Sequence, residues 1–157
     1  MNIVFMGTPE YAAKILRALA EAKFKIVAVF TQPDKPVGRK QILTPSEVKI
    51  YAQKHLPAVP IFQPATLKDE AVAAQIKELK PDFIVVAAYG KILPQSVLDI
   101  VLCINLHASI LPKYRGASPI QSAILAGEKR TGVTAMLMDA GLDTGDMLDF
   151  AYTPCED

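Results

Sequence analysis

Asn105 and His107 stand two residues apart at the end of an apolar run over 101–104, and Pro112, Arg115 and Gly116 then break the pattern. Side chains two apart on a strand point to the same face, so an amide donor and an imidazole would project into one spot at the strand's end. Three carboxylates, Asp139, Asp143 and Asp146, follow in a glycine-containing loop. One of them reaching back to His107 would complete an acid/base pair beside an amide donor. Such a set suits acyl or formyl transfer, in which charge develops on a carbonyl oxygen and a proton must be moved. Spacing alone does not choose among the three aspartates. Plainer readings stand beside this one: a polar strand end bonded to nearby backbone, and a loop capped by its own aspartates. A metal site would need a second cluster of ligands, which the sequence does not offer, so no metal is expected.

The elements that must position these residues are legible from periodicity. Residues 2–6 form a short apolar run ending at Gly7, after which Thr8, Pro9 and Glu10 offer an N-cap, an N1 proline and a first-turn acid. Ala12, Ile15, Leu16 and Leu19 recur at helical spacing before 25–30 resumes as a buried strand. This is the opening β-α-β of a parallel sheet. The alternation continues with a helix near 45–55, a strand at 59–62, a helix over about 68–79 and a strand at 83–88. Strands at 101–106 and 133–138, with a helix over about 119–126 between them, complete the reading. Continuous β-branched runs separated by helical segments predict an α/β fold, a doubly wound and mostly parallel sheet with helices on both faces. Gly7 ends a strand where nucleotide loops often begin. It supplies one glycine where the dinucleotide fingerprint needs three, and no Gly-Lys-Ser/Thr follows, so it is read as a tight strand-to-helix turn.

A chain of 157 residues, 51% of them apolar, has the length of one domain and enough side chain for a core. The formal net charge of +1 provides no molecule-wide field for a polyanion, so any nucleic acid must be met by a local patch. Cys103 and Cys155 form neither a disulfide framework nor a zinc motif. The N-terminus lacks the regions of a signal peptide and no run approaches a membrane span, so a cytoplasmic protein is expected by elimination. One segment resists packing: 31–45 carries Pro33, Pro36, Pro45 and Gly38 with the cations Lys35, Arg39 and Lys40. It is read as a long functional loop leaving the carboxyl end of the second strand, the side where open α/β sheets hold ligands.

Asn105 and His107, with the Ser-Ile-Leu-Pro run at 109–112 and Asp143 in the loop over 141–146, resemble the signature of the N10-formyltetrahydrofolate-dependent formyltransferase family. The resemblance runs from the first strand to about Met147. It implies a Rossmann-like catalytic domain, 10-formyltetrahydrofolate as one-carbon donor and tetrahydrofolate as product. It further implies that Asn105 and His107 meet the formyl oxygen, and that Asp143 orients His107 and helps move the proton. By the same resemblance Tyr89, Gly90, Ile92, Ser109, Ile110, Leu111, Pro112 and Leu142 would bind the folate.

Within the family, segments 31–39 and 115–121 are similar to the branch that formylates the α-amine of methionyl initiator tRNA for translation initiation. Glycinamide ribonucleotide and sugar-nucleotide formyltransferases share the Asn, His and Asp set, so the basic loop is the discriminating feature. It implies that Lys35, Arg39 and Lys40 contact tRNA. Transfer to another amine, or a folate-binding module with little transfer activity, are the alternatives. Residues 1–157 are expected to form the catalytic domain alone, without the family's C-terminal β-barrel, and to be monomeric with no membrane partner.

Overall fold

The computed structural model describes residues 1–141 and 143–155. Among these described residues nine strands and five helices follow in the order β1 (Asn2–Gly7), α1 (Glu10–Glu21), β2 (Lys25–Phe30), β3 (Lys35–Val37), β4 (Ile42–Thr44), α2 (Glu47–His55), β5 (Ile61–Phe62), α3 (Glu70–Glu78), β6 (Phe83–Ala87), α4 (Gln95–Leu98), β7 (Cys103–His107), α5 (Pro119–Leu125), β8 (Arg130–Leu137) and β9 (Met147–Pro154). Seven strands form one sheet in the order β5-β2-β1-β6-β7-β8-β9. The first five run parallel, whereas β8 pairs antiparallel with β7 and β9 antiparallel with β8.

The strands at the centre are apolar on both sides because helices cover both. Val4, Met6, Ile84 and Val86 face Ile76 of α3 and Val97 of α4, while Ile3, Phe5, Val29 and Val85 face Leu16 of α1 and Val48 of α2. Alternating residues of one strand thus enter two separate cores, which is why these segments read as continuous apolar runs. Gly7 leaves no room for a side chain: a Cβ there would lie 2.6 Å from the Ala12 Cβ and 2.7 Å from the Ala87 carbonyl oxygen. The tight-turn reading of this glycine is therefore the structural one.

Three local expectations change. Segment 31–45 is not an irregular loop but contains an exposed antiparallel hairpin, with Lys35 opposite Thr44 and Val37 opposite Ile42. Its tip turns through left-handed Gly38 and Gln41, and Pro36 is tolerated because the hairpin is all edge. The helix α1 begins after Pro9, not after a capping Thr8, because the Thr8 hydroxyl donates to the Tyr89 carbonyl at 2.9 Å. The strand β9 was not anticipated. Its alternation of Leu148, Phe150 and Tyr152 with Asp149 and Thr153 is a strand pattern, but its large apolar groups remain exposed.

Candidate active site

The parallel register of β6 and β7 sets Val86 beside Asn105, so β7 carries its last residues to the carboxyl edge of the sheet. Asn105 and His107 share a face there, as their spacing predicts. The loop between β8 and β9 leaves beside Cys103, whose carbonyl accepts from Met138 N–H, and rises past β7 to bring Asp143 to them. The Asp143 carboxylate accepts from Asn105 Nδ2 at 3.3 Å and from the Gly116 backbone N–H at 3.1 Å, and lies 3.7 Å from His107 Nδ1. The His107 and Asp143 side chains are 7% and 8% exposed. An ionised carboxylate so enclosed is tolerable only with donors of this kind around it.

The other ring nitrogen of His107 is also engaged. Nε2 lies 2.8 Å from the Tyr114 carbonyl oxygen. A carbonyl only accepts, so Nε2 carries the hydrogen and Nδ1 is left facing the Asp143 carboxylate. That second contact is an ion pair only when the ring is protonated. The backbone around this corner is held in an uncommon conformation: Ala88, Tyr114 and Asp143 have φ of 47°, 57° and 53°. Left-handed non-glycine residues carry strain that the surroundings must over-determine, and here all three border one site.

In front of the trio opens a cavity of about 840 Å³ at the carboxyl ends of β1, β2, β6 and β7. Its size is that of a site for a ligand larger than a simple metabolite. Asn105, His107 and Asp143 form its polar corner, and Thr8, Tyr11, Ile92 and Ile120 contribute other parts of the wall. The Tyr89 carbonyl accepts from Thr8 Oγ1 at 2.9 Å and from Gln32 Nε2 at 3.0 Å, which ties the turn over 88–90 to the ends of β1 and β2. Gly90 has a φ of 80°, and a Cβ on it would strike Gln32 Nε2. The Tyr11 hydroxyl donates to the Leu106 carbonyl at 2.9 Å, and burial pushes its pKa up to about 12.

Of the residues expected to surround a folate, Tyr89, Gly90 and Ile92 line the cavity. The Tyr89 ring itself turns inward to the core. Ser109, Ile110, Leu111 and Pro112 do not line it. The Ser109 hydroxyl donates to the Lys113 carbonyl at 2.6 Å, Leu111 is buried, and Ile110 borders a separate hollow of about 180 Å³. These four build the chain reversal after β7 instead, and Thr134 Oγ1 pins it by donating to the Ser109 carbonyl and accepting from Leu111 N–H. Leu142 lies outside the described residues. Lys35, Arg39 and Lys40 belong to the hairpin and do not border the cavity.

Asp139 also lines the cavity, but its Oδ1 accepts from Gly141 N–H at 2.8 Å and Thr144 Oγ1 at 3.0 Å, a brace within its own loop. The wall from Thr8 to Tyr11 was missed by sequence reasoning. Its signal was positional, since a β1–α1 turn at the carboxyl edge is where open α/β sheets bind ligands. Among the described residues no group of three or more His, Cys, Asp or Glu side chains is placed to hold a metal ion, and no helix is long and apolar enough to cross a membrane.

The formyl transferase family profile matches residues 1–155. The chain belongs to the formyl transferase family. A methionyl-tRNA formyltransferase of Campylobacter curvus is 76% identical over 156 residues, covering 99% of this chain and 52% of that protein. One from a Nitratiruptor species is 65% identical over 150 residues, covering 96% of this chain and 49% of its own length. The chain thus spans about half the length of the curated relatives it matches. Among solved formyltransferase structures, phosphoribosylglycinamide formyltransferase from Anaplasma phagocytophilum superposes with a TM-score of 0.78 at 24% identity, covering 99% of this chain and 73% of that one. Methionyl-tRNA formyltransferase from Clostridium thermocellum gives 0.61 at 23%, covering 98% and 53%. At such identities the structures speak to the shared fold, a mostly parallel formyl transferase sheet with helices on both faces.

Proposed function

We propose that this chain carries the catalytic site for moving a formyl group from 10-formyltetrahydrofolate to the α-amine of methionine on initiator tRNA. The observation that carries this reading is the convergence of Asn105, His107 and Asp143 at the polar corner of one large cavity. The names of the relatives at 76% and 65% identity favour the tRNA-linked amine over glycinamide ribonucleotide or an amino sugar. The cavity's volume and its mixture of apolar wall with the polar corner of Asn105, His107 and Asp143 fit a folate, which supplies the activated formyl group.

The residues of the chain would then divide the work. Asn105 Nδ2 would turn from Asp143 toward the formyl oxygen, joined there by the Nδ1–H of a protonated His107 whose Nε2 stays on the Tyr114 carbonyl, and the two would stabilise negative charge as it develops. Removing one such donor typically lowers the rate by about 10²–10³. Asp143, already 3.7 Å from His107 Nδ1, would orient the ring, take up the proton that the attacking amine loses and pass it to the folate nitrogen as that nitrogen's bond to the formyl carbon breaks. The segment 88–90 and the loop carrying Asp143 would hold the folate between them. Lys35, Arg39 and Lys40 would meet phosphates, positioning the tRNA without reading its sequence. Such work belongs to the cytoplasm.

The test is single-turnover transfer by this chain from 10-formyltetrahydrofolate to methionyl initiator tRNA, with glycinamide ribonucleotide as competitor. Asn105→Ala and His107→Ala should each slow the chemical step about 10²–10³-fold with folate affinity retained. If both variants lose folate affinity and transfer normally at saturation, the two side chains are binding groups and the oxyanion account fails. Preferential use of glycinamide ribonucleotide would transfer the assignment to that acceptor.

A further inference from the structure

The His107 imidazole is held on the side away from Asp143 by a backbone carbonyl, that of Tyr114, and a loop carbonyl is a fixed acceptor only if something fixes the loop. Tyr114 lies in the connection between β7 and α5 with a left-handed φ of 57°, a conformation an aromatic residue adopts only under constraint. The constraint lies behind the site. The Tyr114 hydroxyl donates to Glu128 Oε1 at 2.8 Å, and Lys113 Nζ donates to the same oxygen at 2.8 Å. Ser109 Oγ bonds the Lys113 carbonyl at 2.6 Å, one residue before Tyr114. Glu128 sits in the short link between α5 and β8, and its backbone N–H donates to the Ala123 carbonyl of α5, so its position is tied to the body of the fold.

We propose that Tyr114 and Glu128 are positioning residues for His107: Glu128 fixes the Tyr114 side chain, and the tethered backbone presents its carbonyl to His107 Nε2. The proposal deepens the function proposed above by assigning a role to two residues that do not touch the cavity. The relay is short and each link is a hydrogen bond of 2.8 Å. The electrostatics of the phenol and the carboxylate agree with it: Glu128 holds the Tyr114 hydroxyl above its ordinary range, and Lys113, then Tyr114, hold Glu128 below the usual carboxylate range. The relay also fixes the tautomer. With the Tyr114 carbonyl in place a neutral His107 must carry its hydrogen on Nε2; with that carbonyl displaced, a hydrogen on Nδ1 directed to Asp143 becomes the better choice.

The chain contains only two histidines, so its imidazole nitrogen spectrum is simple, and His55→Gln assigns the remaining signals to His107. Two-bond proton–nitrogen correlation spectra, recorded at a pH where the ring is neutral, read the tautomer directly. Tyr114→Phe and Glu128→Leu remove opposite ends of the same hydrogen bond. Both are expected to move His107 from the Nε2–H form toward the Nδ1–H form, the double variant no further than either single one. Glu128→Gln, whose amide oxygen still accepts from the Tyr114 hydroxyl, should restore the original spectrum. An unchanged His107 spectrum in both single variants overturns the proposal, whatever the rates do. In single-turnover transfer the same two variants should lose about tenfold in rate at unaltered folate affinity. A changed spectrum with an unchanged rate would uphold the positioning role and instead remove His107 from the catalytic reading.

Discussion

Replacing Asp143 by asparagine separates chemistry from loop structure more cleanly than any other single change at the site. The carboxylate now serves two hydrogen-bond donors on two oxygens, Asn105 Nδ2 on Oδ1 and Gly116 N–H on Oδ2, with His107 Nδ1 beyond the second. An amide of the same shape has one oxygen. With its oxygen on Gly116 N–H, its NH₂ group faces Asn105, whose own amide must then turn over to accept from it, so one part-buried donor loses its present partner in any arrangement, at a cost of about 1–3 kcal/mol. Backbone strain adds nothing, because asparagine tolerates the left-handed φ of 53° at this position as well as aspartate does. Urea unfolding of Asp143→Asn should therefore show a loss of that size. Transfer should fall further, by about 10²–10⁴-fold, since the amide cannot accept the proton.

Asp139→Asn is the matching control. The Asp139 brace needs only one oxygen for both of its donors, so the amide can keep them and stability should drop by less than about 1 kcal/mol with transfer unaffected. The reasoning is refuted if Asp143→Asn loses that stability yet transfers at the wild-type rate with both substrates saturating, because the carboxylate would then be only a loop brace. It is equally refuted if the two aspartate variants lose activity alike.

Other outcomes follow from particular groups. The Tyr89 hydroxyl is buried without a hydrogen-bond partner among the described residues, so Tyr89→Phe should raise stability by about 1 kcal/mol in urea unfolding rather than lower it. Burial pushes the Cys103 thiol up to about 11 and the Tyr89 and Tyr11 phenols up to about 12. Their protonated forms favour the fold fully below the unfolded values, near 9 and 10. The unfolded chain ionises first above those values, so stability should fall from about pH 9 to about pH 12, and Cys103→Ala should delay the onset by about one pH unit. Arg39→Ala should raise the tRNA concentration needed for transfer and reduce the salt slope by about one, leaving folate affinity unchanged; a normal tRNA response would count against the hairpin as the tRNA contact.

The sheet was legible because its central strands are buried on both faces, and apolar runs such as 83–87 leave little choice of element. The pairing of Asn105 with His107 was legible for an equally local reason, the two-residue period of a strand. The hairpin escaped because its strands have three residues each and no buried side chain, so no apolar period marks them. The direction of Ser109–Ile–Leu–Pro112 was not legible either. Whether that run faces the cavity or supports the turn is decided by Thr134, a β8 residue 25 positions from Ser109. Choosing Asp143 from three aspartates needed the same kind of long-range information, since it is Gly116 and Asn105 that single it out.

The topology explains why the site stands where it does. Chain order runs outward from β1 through β2 to β5 on one side, and α3 then crosses back so that β6 and β7 continue on the other. At the boundary between β1 and β6 the loops leaving adjacent strands diverge to opposite faces, and a crevice opens there without any helix having to be displaced. The chain tightens that crevice at its base with Gly7, where a side chain would strike Ala87, and bridges it above with Thr8 and Gln32 on the Tyr89 carbonyl. Antiparallel β8 matters for a separate reason. It passes Thr134 opposite His107 and ends with Leu137 opposite Ile104, so its following loop departs from below the site rather than from the carboxyl edge. That loop rises again to lay Asp143 against Asn105 and His107 before β9 begins with Met147 opposite Met136. A further parallel strand in the place of β8 would have ended at the carboxyl edge and set its loop at the rim of the cavity instead. The parallel half of the sheet makes the cavity, and the antiparallel addition delivers its acid from beneath.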